Sequence, residues 1–226
     1  MPYSVVQTKG NTGTGTSLVT VLDSNTTTGN LILVQILLAF PVFSNISSVT
    51  DSQGNSYASV GSPQTLSNSQ LLTYYAFNIT GGTTPTVTAN FTGSGQQNAV
   101  QIREYSGIAT TSPLDVIAGA AGNSNSPSAT TATTTNANDI VIGSIASNIS
   151  TTASAGSGYG NASTYNASNI TLFLEDKEVN ATGAQTANAT LGQVWNWGAQ
   201  AITFKLAAGG PPPTTASAST VMMMGV

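Results

Sequence analysis

Apolar residues along this chain recur in short runs between clusters of Gly, Asn, Ser, Thr and Pro, and almost nowhere at helical spacing. Runs rich in Val, Ile, Thr, Tyr and Phe predict strands over residues 17–22, 31–40, 56–60, 71–78, 86–91, 99–105, 139–146, 170–178 and 199–206. In the last of these, Ile202, Phe204 and Leu206 fall on one face and Thr203 and Lys205 on the other, the alternation of a half-buried strand. The run at 31–40 (LILVQILLAF) is instead apolar on both faces apart from Gln35. It reads as a central strand covered on both sides, or as one whose outer face meets a neighbouring subunit. This pattern predicts an all-β fold: a single two-sheet β-sandwich, jelly-roll-like, over 17–206, preceded by an amino-terminal arm or first strand over 1–16.

After Leu206 the pattern breaks at Gly209-Gly210-Pro211-Pro212-Pro213, which predicts a stiff, extended linker within a tail over 207–226. The tail ends in Val221, Met222, Met223 and Met224, an apolar terminus that either packs back on its own sandwich or hangs free, or reads as an arm docking on another subunit or a membrane-facing layer. One internal echo is present: a Thr-rich turn precedes an aliphatic run at 26–34 (TTTGNLILV) and again at 133–142 (TTTNANDIVI). Its period is too long for a solenoid, and it is read as two related edges of one sandwich rather than two domains.

Charge then narrows the function. The 226 residues carry four basic and eight acidic side chains, with no histidine and no cysteine. The groups that perform most proton transfer, nucleophilic attack and metal binding near neutral pH are missing or sparse, so no enzyme and no cofactor is read. Four cations cannot track a phosphate backbone, which argues against nucleic-acid binding. Few titrating groups also imply stability that is nearly blind to pH, as suits hot or acidic surroundings. Residues 1–10 (MPYSVVQTKG) lack the basic start and apolar stretch of a secretory signal, and 31–40 is about half the length that spans a bilayer. No transmembrane segment is read.

Ten Asn-x-Ser/Thr triplets begin at Asn25, Asn45, Asn78, Asn90, Asn148, Asn161, Asn166, Asn169, Asn180 and Asn188, an excess over what composition alone would place. They are candidate N-glycan acceptors, with Asn161, Asn166 and Asn169 the best group because they share a polar, loop-like stretch. DSQGNSY at 51–57 is either a calcium loop with Asp51 and Asn55 as ligands or, the preferred reading, a tight turn capped by those side chains around Gly54. Glu104 falls on the same face as Val100 and Ile102 and must be paired or protonated there. A Lys–Asn isopeptide link assisted by Glu104, with Lys9, Lys177 or Lys205 as donor, is a sharper alternative. A glycosidase pair would have to join Glu104 to Glu175, Asp176 or Glu178, and residues 175–178 read better as a solvated strand end. Trp195 and Trp197 share a face and serve either core packing or sugar stacking.

DSxGNxY at 51–57, LxYYAxNIxGG at 72–82, EYSGI at 104–108, PLD at 113–115 and AIxF at 201–204 resemble a β-sandwich module of extracellular archaeal and bacterial proteins and of some virus particles. The resemblance implies a fold and an exposed setting rather than an activity. With no enzyme domain or signal read, it favours a structural virion protein: a capsid, turret or decoration subunit from a heat- or acid-adapted archaeal host, at the virion surface or cell surface. Expected partners are copies of itself and other virion or filament proteins, through Val5, Val6, Leu31, Leu33, Leu37 and the apolar tail. The alternatives are a thread or pilus subunit assembling by donor-strand complementation and, third, a carbohydrate-binding module.

Overall fold

A computed structural model describes residues 3–39, 45–93 and 97–208. Phe40, the Pro-rich linker and the tail residues Val221, Met222, Met223 and Met224 lie outside the described residues.

The first half of the chain forms β1 (Ser4–Thr14), β2 (Ser17–Val21), β3 (Leu31–Ala39), β4 (Ile46–Asp51), β5 (Ala58–Ser59), β6 (Gln64–Leu66), β7 (Ser69–Ala76), β8 (Thr86–Phe91) and β9 (Gln97–Ser106). The second half forms β10 (Leu114–Ser124), β11 (Ser128–Thr133), β12 (Asn138–Ser147), β13 (Ala153–Ala155), β14 (Gly160–Ala167), β15 (Ile170–Asn180), β16 (Ala184–Leu191) and β17 (Trp195–Lys205). All nine expected strands are present, and the protein is an all-β sandwich. It has four sheets, however, rather than two.

The large sheet of the first half runs β1-β9-β3-β7-β5, with β6 also on β7, and its small sheet runs β2-β8-β4. The second half repeats this order as β10-β17-β12-β15-β14 and β11-β16-β13. The correspondence reaches single residues. Leu31 stands opposite Tyr105 as Ile140 stands opposite Phe204, and Gln35 opposite Gln101 as Ser144 opposite Gln200. The first strand of each half carries a bulge, between Val5 and Gln7 and between Leu114 and Ile117. Gly10, paired with Gln101, is matched by Gly119, paired with Gln200. The echo before β3 and β12 therefore marks a duplicated sandwich, not two edges of one.

Alternation decides how the layers stack. Ile32, Val34, Ile36 and Leu38 of β3 join Leu18, Val87, Phe91 and Val100 in a core between the first half's two sheets. The opposite face of β3 meets the second half: Leu31 and Leu33 pack with Ile140, Ile142, Leu174, Ile202 and Phe204, and Leu37 packs with Ala146, Ile170 and Leu172. A third core, with Phe173, Trp197 and Leu191, fills the second half. The two large sheets thus lie face to face with the small sheets outside them. This is why residues 31–38 are apolar on both faces apart from Gln35, each buried Leu or Ile contributing about 1.5–3 kcal/mol. Leu31, Leu33 and Leu37 are 0 % exposed. Their expected subunit contact is corrected accordingly, because the surface they meet belongs to the same chain.

A polar stripe crosses this internal interface. Thr73 Oγ1 donates to Gln200 Oε1 (2.6 Å) and lies 3.0 Å from Ser144 Oγ, and Gln35 Nε2 donates to the carbonyl of Ile145 (2.9 Å). Gln101 reaches Ser163 on β14, as its counterpart Gln200 reaches the carbonyl of Val60 beside β5 (3.0 Å). At the two rims a glycine lets a side chain of the other half close over the strand. A Cβ at Gly10 would run into the ring of Tyr165, and one at Gly119 into Gln64. Contacts of one half on the other recur with the roles exchanged, as in a two-fold dimer fused into one chain.

Candidate functional site

Four of the eight acids, Glu104, Asp139, Glu175 and Asp176, are 0 % exposed. A buried carboxylate must find donors or keep its proton, and each of the four does so differently.

Asp176 sits between the large sheets and takes Arg103 Nη1 at 3.0 Å, both side chains being essentially inaccessible. Tyr3 Oη (2.5 Å), Asn161 Nδ2 (2.7 Å) and Tyr105 Oη (3.3 Å) also donate to it, while Arg103 Nε reaches Thr8 Oγ1 at 3.1 Å. Burial, with Asp176 beside it, pushes the Tyr3 phenol well up, so it stays a donor. The positions equivalent to Arg103 and Asp176 are Ile202 and Tyr75, and there Tyr75 packs on the Phe204 ring at 5.1 Å. One corner of the internal interface is therefore ionic and its counterpart apolar.

Glu104 takes Gln7 Nε2 (2.7 Å), the Thr27 amide (2.9 Å) and Asn30 Nδ2 (2.6 Å), which ties the bulge of β1 and the Thr-rich turn to β9. No lysine shares this site. Lys9 pairs with Asp23 at 2.5 Å, Lys177 lies over the Tyr159 ring at 4.6 Å, and Lys205 approaches Asp115 at 3.9 Å. The isopeptide reading is not supported by this arrangement.

Glu175 faces the core of the second half, where, among the described residues, the amides of Gly156 (2.8 Å) and Asn188 (3.2 Å) are its donors. Burial outweighs those bonds and pushes its carboxyl up to about 7. Asp139 receives Asn136 Nδ2 on Oδ1 (2.9 Å), while its Oδ2 has no donor among the described residues. Burial, reinforced by neighbouring Asp115, pushes Asp139 up to about 6. Asp115 moves the other way. Its partial burial opposes ionisation, but bonds from the hydroxyl and amide of Thr135 and the amide of Asn136 hold it below the usual range. At mildly acidic pH the Asp139–Asp115 pair keeps one proton, carried by Asp139. Residues 175–176 are thus buried rather than a solvated strand end, and Glu104, Asp176 and Glu175 occupy three different layers.

DSQGNSY forms a tight turn. Asp51 Oδ1 accepts the amides of Gln53 (2.9 Å) and Asn55 (3.0 Å), and Oδ2 accepts Asn55 Nδ2 (2.8 Å) and Tyr57 Oη (3.0 Å). Gly54 takes φ +76°, which favours glycine. Among the described residues no three acidic, His or Cys side chains are grouped to hold a metal ion.

Trp197 is core, with Nε1 donating to Ser124 Oγ at 2.9 Å, whereas Trp195 is 42 % exposed, so the pair offers no joint stacking surface. A pocket beside Val60 and Thr73 holds about 120 Å³, short of ordinary ligand pockets, and a wide-mouthed hollow lined by Ala109, Thr110, Thr111, Ala207 and Ala208 holds about 320 Å³ but no titratable side chain. Among the described residues no helix is long and apolar enough to cross a membrane.

Of the remaining assembly candidates, Val5 packs against the core between the large sheets and Val6 is exposed at the bulge. β1 pairs along β9 of its own sheet, and a donor-strand thread would have to displace it. Among the sequons, Asn25, Asn45, Asn78, Asn161, Asn166, Asn169 and Asn180 are exposed, Asn90 and Asn188 half-buried, and Asn148 buried. All three residues of the Asn180 triplet are exposed, whereas Ile79, Thr26 and Ile170 bury the middle of three others. Intact-protein and glycopeptide mass spectrometry of native material is expected to find glycans at Asn180, Asn166 and Asn45 and none at Asn148. A bare polypeptide mass would remove glycosylation from the account.

Comparison of the chain with protein-family models, curated proteins and solved structures finds no match in any of the three.

Proposed function

We propose that this chain is a structural subunit of a virus particle, a capsid, turret or decoration component suited to hot or acidic surroundings, and that it acts by assembly. One observation carries the reading. The buried acids Glu104, Glu175 and Asp176 are tied up in internal hydrogen bonds, each in a different layer of a block of four stacked sheets, and none of them lines the hollow at Ala109–Thr111 and Ala207–Ala208. That placement of the acids favours a role through surfaces. Its nearly uncharged, hydroxyl- and amide-rich exterior suits close packing of many copies, since little charge has to be desolvated or opposed.

Quantitative mass spectrometry across density-gradient fractions of the native source tests this. The chain is expected to co-sediment with particles at fixed stoichiometry to their other structural components. Recovery only in the slow-sedimenting protein fractions would refute it.

A further inference from the structure

Resting on the assembly reading, we infer that the edge of β10 facing away from β17, unpaired among the described residues, is a docking surface for the β10 edge of a second copy, joining two large sheets into one continuous antiparallel sheet.

β10 is an eleven-residue strand at the end of its sheet, hydrogen-bonded on one side to β17. Among the described residues, no other backbone or side-chain group bonds the main chain of residues 117–123, and none of its eleven residues is buried. Long open edges invite strand addition, and folded proteins guard them with charge, proline or short length. In β10 the bulge between Leu114 and Ile117 and the carboxylate of Asp115, turned back onto Thr135 and Asn136, are confined to the start of the strand, and residues 117–123 carry neither charge nor proline.

The other large-sheet edges are guarded. β5 and β6 are two and three residues long. β14 carries the sequons at Asn161 and Asn166 and a bulge between Gly160 and Ser163. β1, the counterpart of β10, has Lys9 at its midpoint. Antiparallel self-pairing about that midpoint would set Lys9 opposite Lys9 of the other copy, and like charges directly opposite are destabilising. The midpoint of β10 is Gly119. Self-pairing there sets glycine against glycine, Ile117 against Ala121 and Asp115 against Asn123, so no like charges meet. Charge and side-chain size thus select a second copy, with two-fold symmetry.

The test is light scattering after size exclusion over a concentration series, on the full chain and two variants. The wild type is expected to reach twice the chain mass. Ile117→Lys with Ala121→Lys sets lysine against lysine at both symmetry-related positions and is expected to give a monomer with native circular dichroism. Ile117→Lys with Ala121→Glu sets lysine against glutamate and should restore the dimer. Hydrogen exchange on the wild type adds a reading that needs no variant: protection within residues 117–123 should rise with concentration. A dimer that persists in the double-lysine variant, or edge protection independent of concentration, would overturn the β10 contact and leave the assembly reading standing. A wild type monomeric throughout overturns the contact as well, and the assembly reading is then decided separately by co-sedimentation with native particles.

Discussion

Asp176→Ala is expected to cost about 3–5 kcal/mol of folding stability, because it strands the Arg103 guanidinium between the two large sheets. The loss should appear in guanidinium unfolding as a lower midpoint at unchanged slope. The duplication supplies the informative companion variant. Arg103→Ile with Asp176→Tyr installs at the ionic corner the residues found at the equivalent positions, Ile202 and Tyr75. Removing both charges avoids the unpaired ion, and the double variant should recover most of the loss. If Asp176→Ala were nearly neutral, the internal interface would not depend on this pair. If the double variant were as damaged as the single one, the two corners would not be equivalent. The ion pair also breaks the pseudo-symmetry of the interface, which gives it a role in fixing how the halves register.

Stability is expected to fall by about 4 kcal/mol as pH rises from 5 to 8. The sign follows from the direction of the shifts. Burial raises Asp139 to about 6 and Glu175 to about 7 in the folded protein, while in the unfolded chain both ionise near 4. The folded state therefore holds more protons across this window, and stability present at low pH is lost as pH climbs through the folded values. Asp115 acts oppositely: its contribution is lost as pH falls below the ordinary carboxylate range. The maximum therefore falls at about pH 4, where the two acids begin to ionise in the unfolded chain. Guanidinium unfolding at a series of pH values measures it, and Glu175→Gln should flatten the limb above pH 6. A flat profile, or greater stability at pH 8 than at pH 5, would contradict the assignment. Such a profile would replace the near-blindness to pH expected from the small number of charges, since what matters is how many of those few are buried.

Legibility from sequence followed side-chain size. Strands such as β3, β7, β12 and β17 place Leu, Ile, Val or Phe at inward positions, and their alternation is visible directly. In β11, β13 and β16 the inward residues are largely alanines, Ala129, Ala153, Ala155, Ala187 and Ala189, flanked by Ser, Thr and Asn. That composition looks the same as a turn, and those strands went unread. The duplication was legible only as a Thr-rich echo because few equivalent residues are identical: Gly10 with Gly119, Gln101 with Gln200, and Ile36 with Ile145 are among them. Glu104 could be recognised as inward-facing because it alternates with Val100 and Ile102. The burial of Glu175 and Asp176 could not, since the layers that cover them come from β14, β16 and the opposite half, distant in sequence.

Electron cryomicroscopy of native particles decides whether this duplicated sandwich works as a repeated building unit. Density for the four-sheet block is expected at regularly repeated positions in a shell, turret or surface layer, with neighbouring copies in contact. Particles whose fully interpreted density contains no such block, with the chain recovered only as a dispersed monomer, would contradict it.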